Sequence, residues 1–169
     1  KMVVTDLDGT YFYNGMPMEE NQRAVQMARE QGVKVFACTG RSWAMCSYTM
    51  QHIGMDDWAV TGNGASVTQV STGKLHHPCF VDRQHVGPIL RFIASSGKYK
   101  LNTYCGDMMY TTKELLPWWL EDSDKQNQTL PKEQWTRFTV CDSLEEMIEK
   151  SQDVCELIRL ETGYERTPM

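Results

Sequence analysis

The sequence predicts an α/β protein, with a parallel sheet of βαβαβ order in its first third and an α+β region after it. Short apolar runs at 2–5, 33–38 and 58–61 alternate with helical patterns over 19–31 and 42–53. After Ala65 this rhythm gives way to hairpin signals.

The first run, 2–5, reads as a buried strand that ends in Asp6-Leu7-Asp8-Gly9-Thr10. Tyr11-Phe12-Tyr13-Asn14-Gly15-Met16-Pro17 joins an aromatic run to an Asn-Gly turn signal and reads as a small hairpin. The helix over 19–31 places Ala24, Val25 and Ala28 on one face, and Gly32 stops it. The run 33–38 is largely apolar, as a strand covered on both faces requires. A second helix over 42–53 closes at Gly54, and 58–61 is the third strand. Residues 66–70 and 75–80 flank Gly73 as a second hairpin.

The second region opens with an amphipathic helix over 82–96, with Val86, Ile89, Leu90 and Ile93 on one face and Gly87-Pro88 weakening its first turn. Strands at 100–104 and 108–111 pair around Cys105-Gly106-Asp107. A helix at 112–122, a strand at 137–140, a helix at 143–150 and a strand at 154–160 follow. The expected division is 1–75 and 76–169.

Acidic residues outnumber basic ones by 22 to 17, a net charge of −5, and no basic run gathers. This argues against a nucleic-acid binder that relies on phosphate neutralisation. No stretch approaches the roughly 18 to 20 apolar residues of a membrane span. The six cysteines are widely spaced without a Cys-x-x-Cys pair, which favours reduced thiols and a cytoplasmic protein. His76-His77 with Cys79 lacks a second ligand pair at zinc spacing and is read as structural.

The chemistry concentrates at strand ends. Asp6 and Asp8 stand where an extended segment turns, so a side chain and a nearby carbonyl can face one ion. A Mg²⁺ there neutralises the repulsion between carboxylate and phosphate, and Asp6 can then act as a nucleophile. The competing reading is an acidic strand end that caps the next loop. Thr39-Gly40-Arg41-Ser42 offers a hydroxyl, a close backbone approach and a fork-shaped donor at the second strand end, although Thr39 or Ser42 can equally be an ordinary N-cap. Asn63, between Gly62 and Gly64, stands at the third strand end as either a substrate contact or a plain turn former. Three successive strand ends are where an open parallel sheet binds ligands.

Asp6-Leu7-Asp8-Gly9-Thr10, Thr39-Gly40-Arg41-Ser42 and Thr61-Gly62-Asn63-Gly64-Ala65 together resemble the motifs of the haloacid dehalogenase superfamily, in particular its Cof-type sugar-phosphate phosphatases. The resemblance implies a Rossmann-like core with an inserted α+β cap domain, and a flap at the first hairpin. It implies hydrolysis of a small cytosolic phosphomonoester through an aspartyl-phosphate on Asp6. Asp8 would be the general acid and base, and Mg²⁺ would be held by Asp6 and Asp8, the latter through its main-chain carbonyl. Leu7, Gly9, Thr10, Thr39, Gly40, Arg41 and Asn63 would meet the phosphate or substrate, with backbone donors from Gly9 and Thr10. The expected partner is a small phosphorylated metabolite, with no nucleic acid or membrane; the oligomeric state stays open. The family's later lysine and late acidic motif have no counterpart after residue 65, so core and cap are both expected to be incomplete. The alternatives are a catalytically incomplete fragment or phosphate-binding module of a longer protein, and a phosphotransferase or mutase.

Overall fold

In the computed structural model, which describes residues 1–13, 16–127, 132 and 135–162, three strands pair in parallel as the βαβαβ reading requires. β1 (Met2–Thr5) pairs with β4 (Lys34–Cys38), and β4 with β5 (Trp58–Thr61). The crossovers are α1 (Glu19–Glu30) and α2 (Trp43–His52). β6 (Ser66–Gln69) and β7 (Lys74–His76) add antiparallel strands, giving the order β1-β4-β5-β6-β7. The short β2 (Phe12–Tyr13) and β3 (Met16–Pro17) form the first hairpin. Its expected Asn14-Gly15 turn lies outside the described residues.

Local chemistry explains these elements. Glu19 and Glu20 occupy the first turn of α1 and Arg29 the last, each matching the helix dipole. Gly32, at φ 73°, supplies the left-handed residue that turns the chain toward β4. Trp43, Cys46 and Met50 put one stripe of α2 into a core with Leu7, Tyr11, Phe12, Val35 and Ala37.

One expectation is overturned here. β1 is not buried: Met2, Val3 and Val4 are 67%, 47% and 50% exposed. Among the described residues β1 pairs only with β4, so it is an edge strand. The apolar run reflects what such a strand can cover, not what covers it in this structure.

The chain divides into the compact units Lys1–Cys79 and Phe80–Met169. The first extends four residues past the expected end, because β7 pairs with β6 and the Cys79 N–H bonds the Ala65 carbonyl at 2.6 Å. β7 is also shorter than the expected 75–80.

In the second unit, β8 (Tyr99–Cys105), β9 (Met108–Thr112), β10 (Arg137–Cys141) and β11 (Leu157–Thr162) form a sheet in the order β10-β9-β8-β11. α3 (Arg83–Ser95) and α5 (Leu144–Ser151) bury Val86, Leu90, Met147 and Ile148 with Leu101 and Cys141 of the sheet. Each helix is capped: Asp82 accepts the Gln84 N–H at 3.1 Å and Ser143 the Glu146 N–H at 3.2 Å. Ile89, expected on the apolar face of α3, is instead 39% exposed. α4 spans Leu116–Asn127 rather than 112–122, since Thr112 still belongs to β9 and Pro117 is tolerated only in a first helical turn. β11 begins at Leu157, after the turn that ends α5.

Candidate active site

The loop after β1 is built around one buried side chain. Leu7 is fully buried between the exposed Asp6 and Asp8, so the alternation of the chain turns both acids away from the core. The Leu7 carbonyl accepts the Phe12 N–H at 2.8 Å and the Thr10 N–H at 3.3 Å, and the Gly9 N–H donates to the Phe12 carbonyl at 3.1 Å. Gly9 takes φ 77°, a conformation that costs a side-chain-bearing residue about 1 kcal/mol or more. Tyr11 and Phe12, both buried, anchor the far side of the loop.

The amides of Gly9 and Thr10, expected to face phosphoryl oxygens, are thus spent inside the loop, and Leu7 serves as its core anchor. Thr10 is exposed, and its carbonyl accepts from Asn21 Nδ2 at 2.9 Å.

Two main-chain bonds join the loop after β4 to the loop after β5: Gly62 N–H to the Arg41 carbonyl at 2.8 Å, and Asn63 N–H to the Thr39 carbonyl at 3.2 Å. The buried Thr39 hydroxyl accepts the Arg41 N–H at 3.1 Å. A hydroxyl that accepts one bond can still donate its own proton. Gly40 leaves room for Asn63: an added Cβ would lie 2.8 Å from Asn63 Oδ1, and that side chain would have to shift. Asn63 takes φ 57°, a left-handed conformation that asparagine tolerates.

Arg41 links the two halves. Its Nε and Nη2 donate to Asp8 Oδ2 and Oδ1 at 2.7 and 2.6 Å, and its guanidinium carbon lies 5.6 Å from the centre of the Phe12 ring. These bonds to Asp8, more than its charge or that of Asp6, hold the Arg41 pKa above its ordinary value. Beneath the site, burial pushes the Cys46 thiol up to about 12, so it is no thiolate nucleophile.

Among the described residues no group of three or more His, Cys, Asp or Glu gathers, and Asp6 forms no salt bridge. Both Asp8 carboxylate oxygens are held by Arg41, so Asp6 and main-chain carbonyls remain as hard oxygen donors. Mg²⁺ is bound in this way elsewhere, by one or two carboxylates with water and substrate phosphate completing the shell. The residues present fit the ion.

Phe12 and Cys46 lie near Arg41, and neither was read from the sequence as a site residue. Ser42 precedes α2 at the N-cap position, but its hydroxyl makes no capping bond and is a buried group without a protein partner among the described residues. The N-cap reading of Ser42 thus holds for its place in the chain and not for its side chain.

Residues 3–167 match the haloacid dehalogenase-like hydrolase family, and the chain belongs to it. Among curated relatives it is similar to the phosphatase YwpJ of Bacillus subtilis, 29% identical over 112 residues that make up 66% of this chain and 39% of that protein. It is 28% identical over 68 residues to the 5-amino-6-(5-phospho-D-ribitylamino)uracil phosphatase YcsE of Bacillus subtilis, over 40% of this chain and 27% of that protein. Its fold is similar to that of a haloacid dehalogenase-like hydrolase from B. subtilis, with TM-score 0.67 and 24% identity over 92% of this chain and 59% of that one. It is also similar to the subclass IIB sugar phosphatase BT4131, with TM-score 0.67 and 15% identity over 92% of this chain and 56% of that one. The matched regions therefore span less than two thirds of each relative's length.

Proposed function

We propose that the chain carries the nucleophile and the acid-base group of a Mg²⁺-dependent phosphomonoester hydrolase of the Cof-type branch. The observation that carries this reading is the pair of outward carboxylates, Asp6 and Asp8, on either side of the buried Leu7 at a parallel strand end. The loops of Thr39 and Asn63, bonded to each other beside that end, support it.

A carboxylate oxygen of Asp6 attacks phosphorus, the bond from phosphorus to the leaving oxygen breaks, and Asp8 gives that oxygen a proton. Water then attacks phosphorus and Asp8 takes its proton. The Asp6 carboxylate leaves, and inorganic phosphate is released. Thr39 offers a hydroxyl donor to the phosphoryl group, and Asn63 a side-chain amide. Bound Mg²⁺, held by Asp6 and the Asp8 carbonyl, would supply charge neutralisation between carboxylate and phosphate.

The substrate class proposed is a small sugar phosphate or similar metabolite, in keeping with the phosphatase relatives. The second unit is proposed as a cap that sets substrate choice. Six unpaired thiols suit a reducing, cytoplasmic setting. Among the described residues no helix is long and apolar enough to cross a membrane.

The test is Mg²⁺-dependent phosphate release from a panel of sugar phosphates and one aryl phosphate, with Asp6→Asn beside the parent. Release that needs both Mg²⁺ and Asp6 supports the reading. Release that survives Asp6→Asn sinks it, as does a folded parent that releases no phosphate.

A further inference from the structure

We infer that Arg41 is the positioning residue of Asp8 and not an anchor for the phosphate. The inference rests on the phosphatase reading above and adds to it the group that orients the proton carrier.

The geometry points this way on three counts. First, one edge of the Arg41 fork is committed: Nε and Nη2 reach the two oxygens of one carboxylate at 2.7 and 2.6 Å. A planar fork on a planar carboxylate fixes the rotation of that carboxylate, which a lysine ammonium acting as a point charge does not. Second, the guanidinium is itself held. Its side chain is only 20% exposed, against 54% for Asp8. Phe12, 3% exposed, sits 5.6 Å from the guanidinium carbon. The Arg41 backbone is pinned at both groups, its N–H to Thr39 Oγ1 and its carbonyl to the Gly62 N–H. Third, the pair closes a ring through the loop. Asp8 and Phe12 bridge to each other, and the Gly9 N–H bonds the Phe12 carbonyl. One buried aromatic residue therefore sets both the backbone that carries Asp8 and the cation that orients its side chain.

The fork uses two of the roughly four lone-pair sites of a carboxylate, so each Asp8 oxygen keeps a site for the travelling proton. Such an arrangement holds the carboxylate plane while leaving it able to give and accept a proton. Orientation of this kind acts on the chemical step more than on binding.

The experiment compares the parent with Arg41→Lys, Arg41→Gln and Asp8→Asn on an alkyl phosphate and on an aryl phosphate with an activated leaving group. General acid-base catalysis is typically worth about 10² to 10⁴ in rate. Asp8→Asn should forfeit most of that on the alkyl substrate. Arg41→Lys, which keeps the charge and loses the fork, should lower kcat on the alkyl phosphate by about tenfold or more, a share of that same range, with KM little moved. Its loss on the aryl phosphate should be smaller, because that leaving group needs less protonation.

If Arg41→Lys and Arg41→Gln instead raise KM for both substrates, and raise the inhibition constant of inorganic phosphate in step, Arg41 is a phosphate anchor and the inference fails. A kcat loss equal on both substrates also overturns it. A second measurement needs no turnover. The Arg41 Nε–H proton resonance should be displaced in Asp8→Asn and in Phe12→Leu, and should stay in place when inorganic phosphate is added to the parent. A resonance that follows phosphate and ignores Asp8→Asn overturns the pairing. A chain without phosphatase activity but with the expected resonance behaviour would sink the proposed function and leave the pairing standing.

Discussion

β1 and β8 are both apolar-rich strands, yet they are packed in opposite ways. In β1 Val3 and Val4 are about half exposed, whereas Leu101 to Tyr104 of β8 are all buried. β8 lies between β9 and β11, with α3 and α5 on one face and Trp119 of α4 beneath Arg159 on the other. β1 has one neighbour and leads into the acidic loop. The acidic loop therefore hangs from a thinly packed strand. The loop is held by its own anchors Leu7, Tyr11 and Phe12, and much less by the strand that delivers it.

The contrast can be broken by truncating anchors and strands separately. Trp119→Ala removes a fully buried ring and should cost about 3 to 5 kcal/mol, and Leu7→Ala about 2 to 5 kcal/mol. Val4→Ala should cost well under either, since about half of its surface is already in water. Denaturant midpoints measure all three. A Val4→Ala loss as large as that of Leu7→Ala would mean that β1, and not the loop anchors, holds the site.

A smaller effect sharpens the account of the site itself. Gly40→Ala places a methyl 2.8 Å from Asn63 Oδ1, so the asparagine must move. Overpacking of this sort costs about 1 to 3 kcal/mol. The affinity for inorganic phosphate should fall with it, and Gly40→Ala combined with Asn63→Gly, which clears the clash and keeps the left-handed backbone free of a Cβ, should recover most of the stability. Calorimetry of the two variants checks this: no recovery in the pair would place the strain elsewhere.

A change of opposite sign is expected in the second unit. Thr111, fully buried on the sheet face that also carries Asn102, has a hydroxyl without a hydrogen-bond partner among the described residues. An orphan of that kind costs about 1 to 3 kcal/mol, so Thr111→Val should leave stability unchanged or raise it by about 1 kcal/mol. A loss instead would show that the hydroxyl is satisfied in solution.

These sites differ in how far the sequence announces them. Asp6, Asp8, Thr39 and Asn63 were legible because they sit in turns, where special backbone conformations force Gly and Asn into fixed positions around them. The parallel order of β1, β4 and β5 was legible from the alternation of short apolar runs with helical patterns. The partner of Arg41 was not, since a fork-shaped donor suits a carboxylate and a phosphate equally and only the fold decides which is nearer. The exposure of β1 was hidden for a similar reason: an apolar run records an affinity for burial and carries no information on what is present to bury it. The buried polar residues Asn102, Thr103 and Thr111 were equally silent, because in a strand they read as a solvated face.

The pH dependence of stability offers the finest comparison between the units. The Asp56 carboxyl is held below the usual range, first by the Val35 N–H at 2.8 Å, then by Lys34 Nζ at 3.0 Å, with Arg29 at 3.6 Å adding charge. Asp142 is also held low, by Lys113 at 2.5 Å and more weakly by Lys150, but both members of its salt bridge are at least 70% exposed. A carboxyl lowered on folding binds fewer protons in the native state than in the unfolded one. Its contribution is therefore complete above the unfolded value near 3.9 and is lost as pH falls through the lower folded value. Asp56→Asn should flatten the fall of Tm below about pH 4 and should do so in high salt as well, because a backbone donor is not screened. Asp142→Asn should have a slight effect that salt abolishes, as exposed ion pairs contribute little. Melting curves from pH 2 to 6, about the carboxylate range, at low and high salt separate the two. Equal, salt-sensitive slopes for both would mean that Asp56 is held by its cations alone, and that the backbone bond from β4 into the loop before β5 adds nothing to the sheet that carries the site.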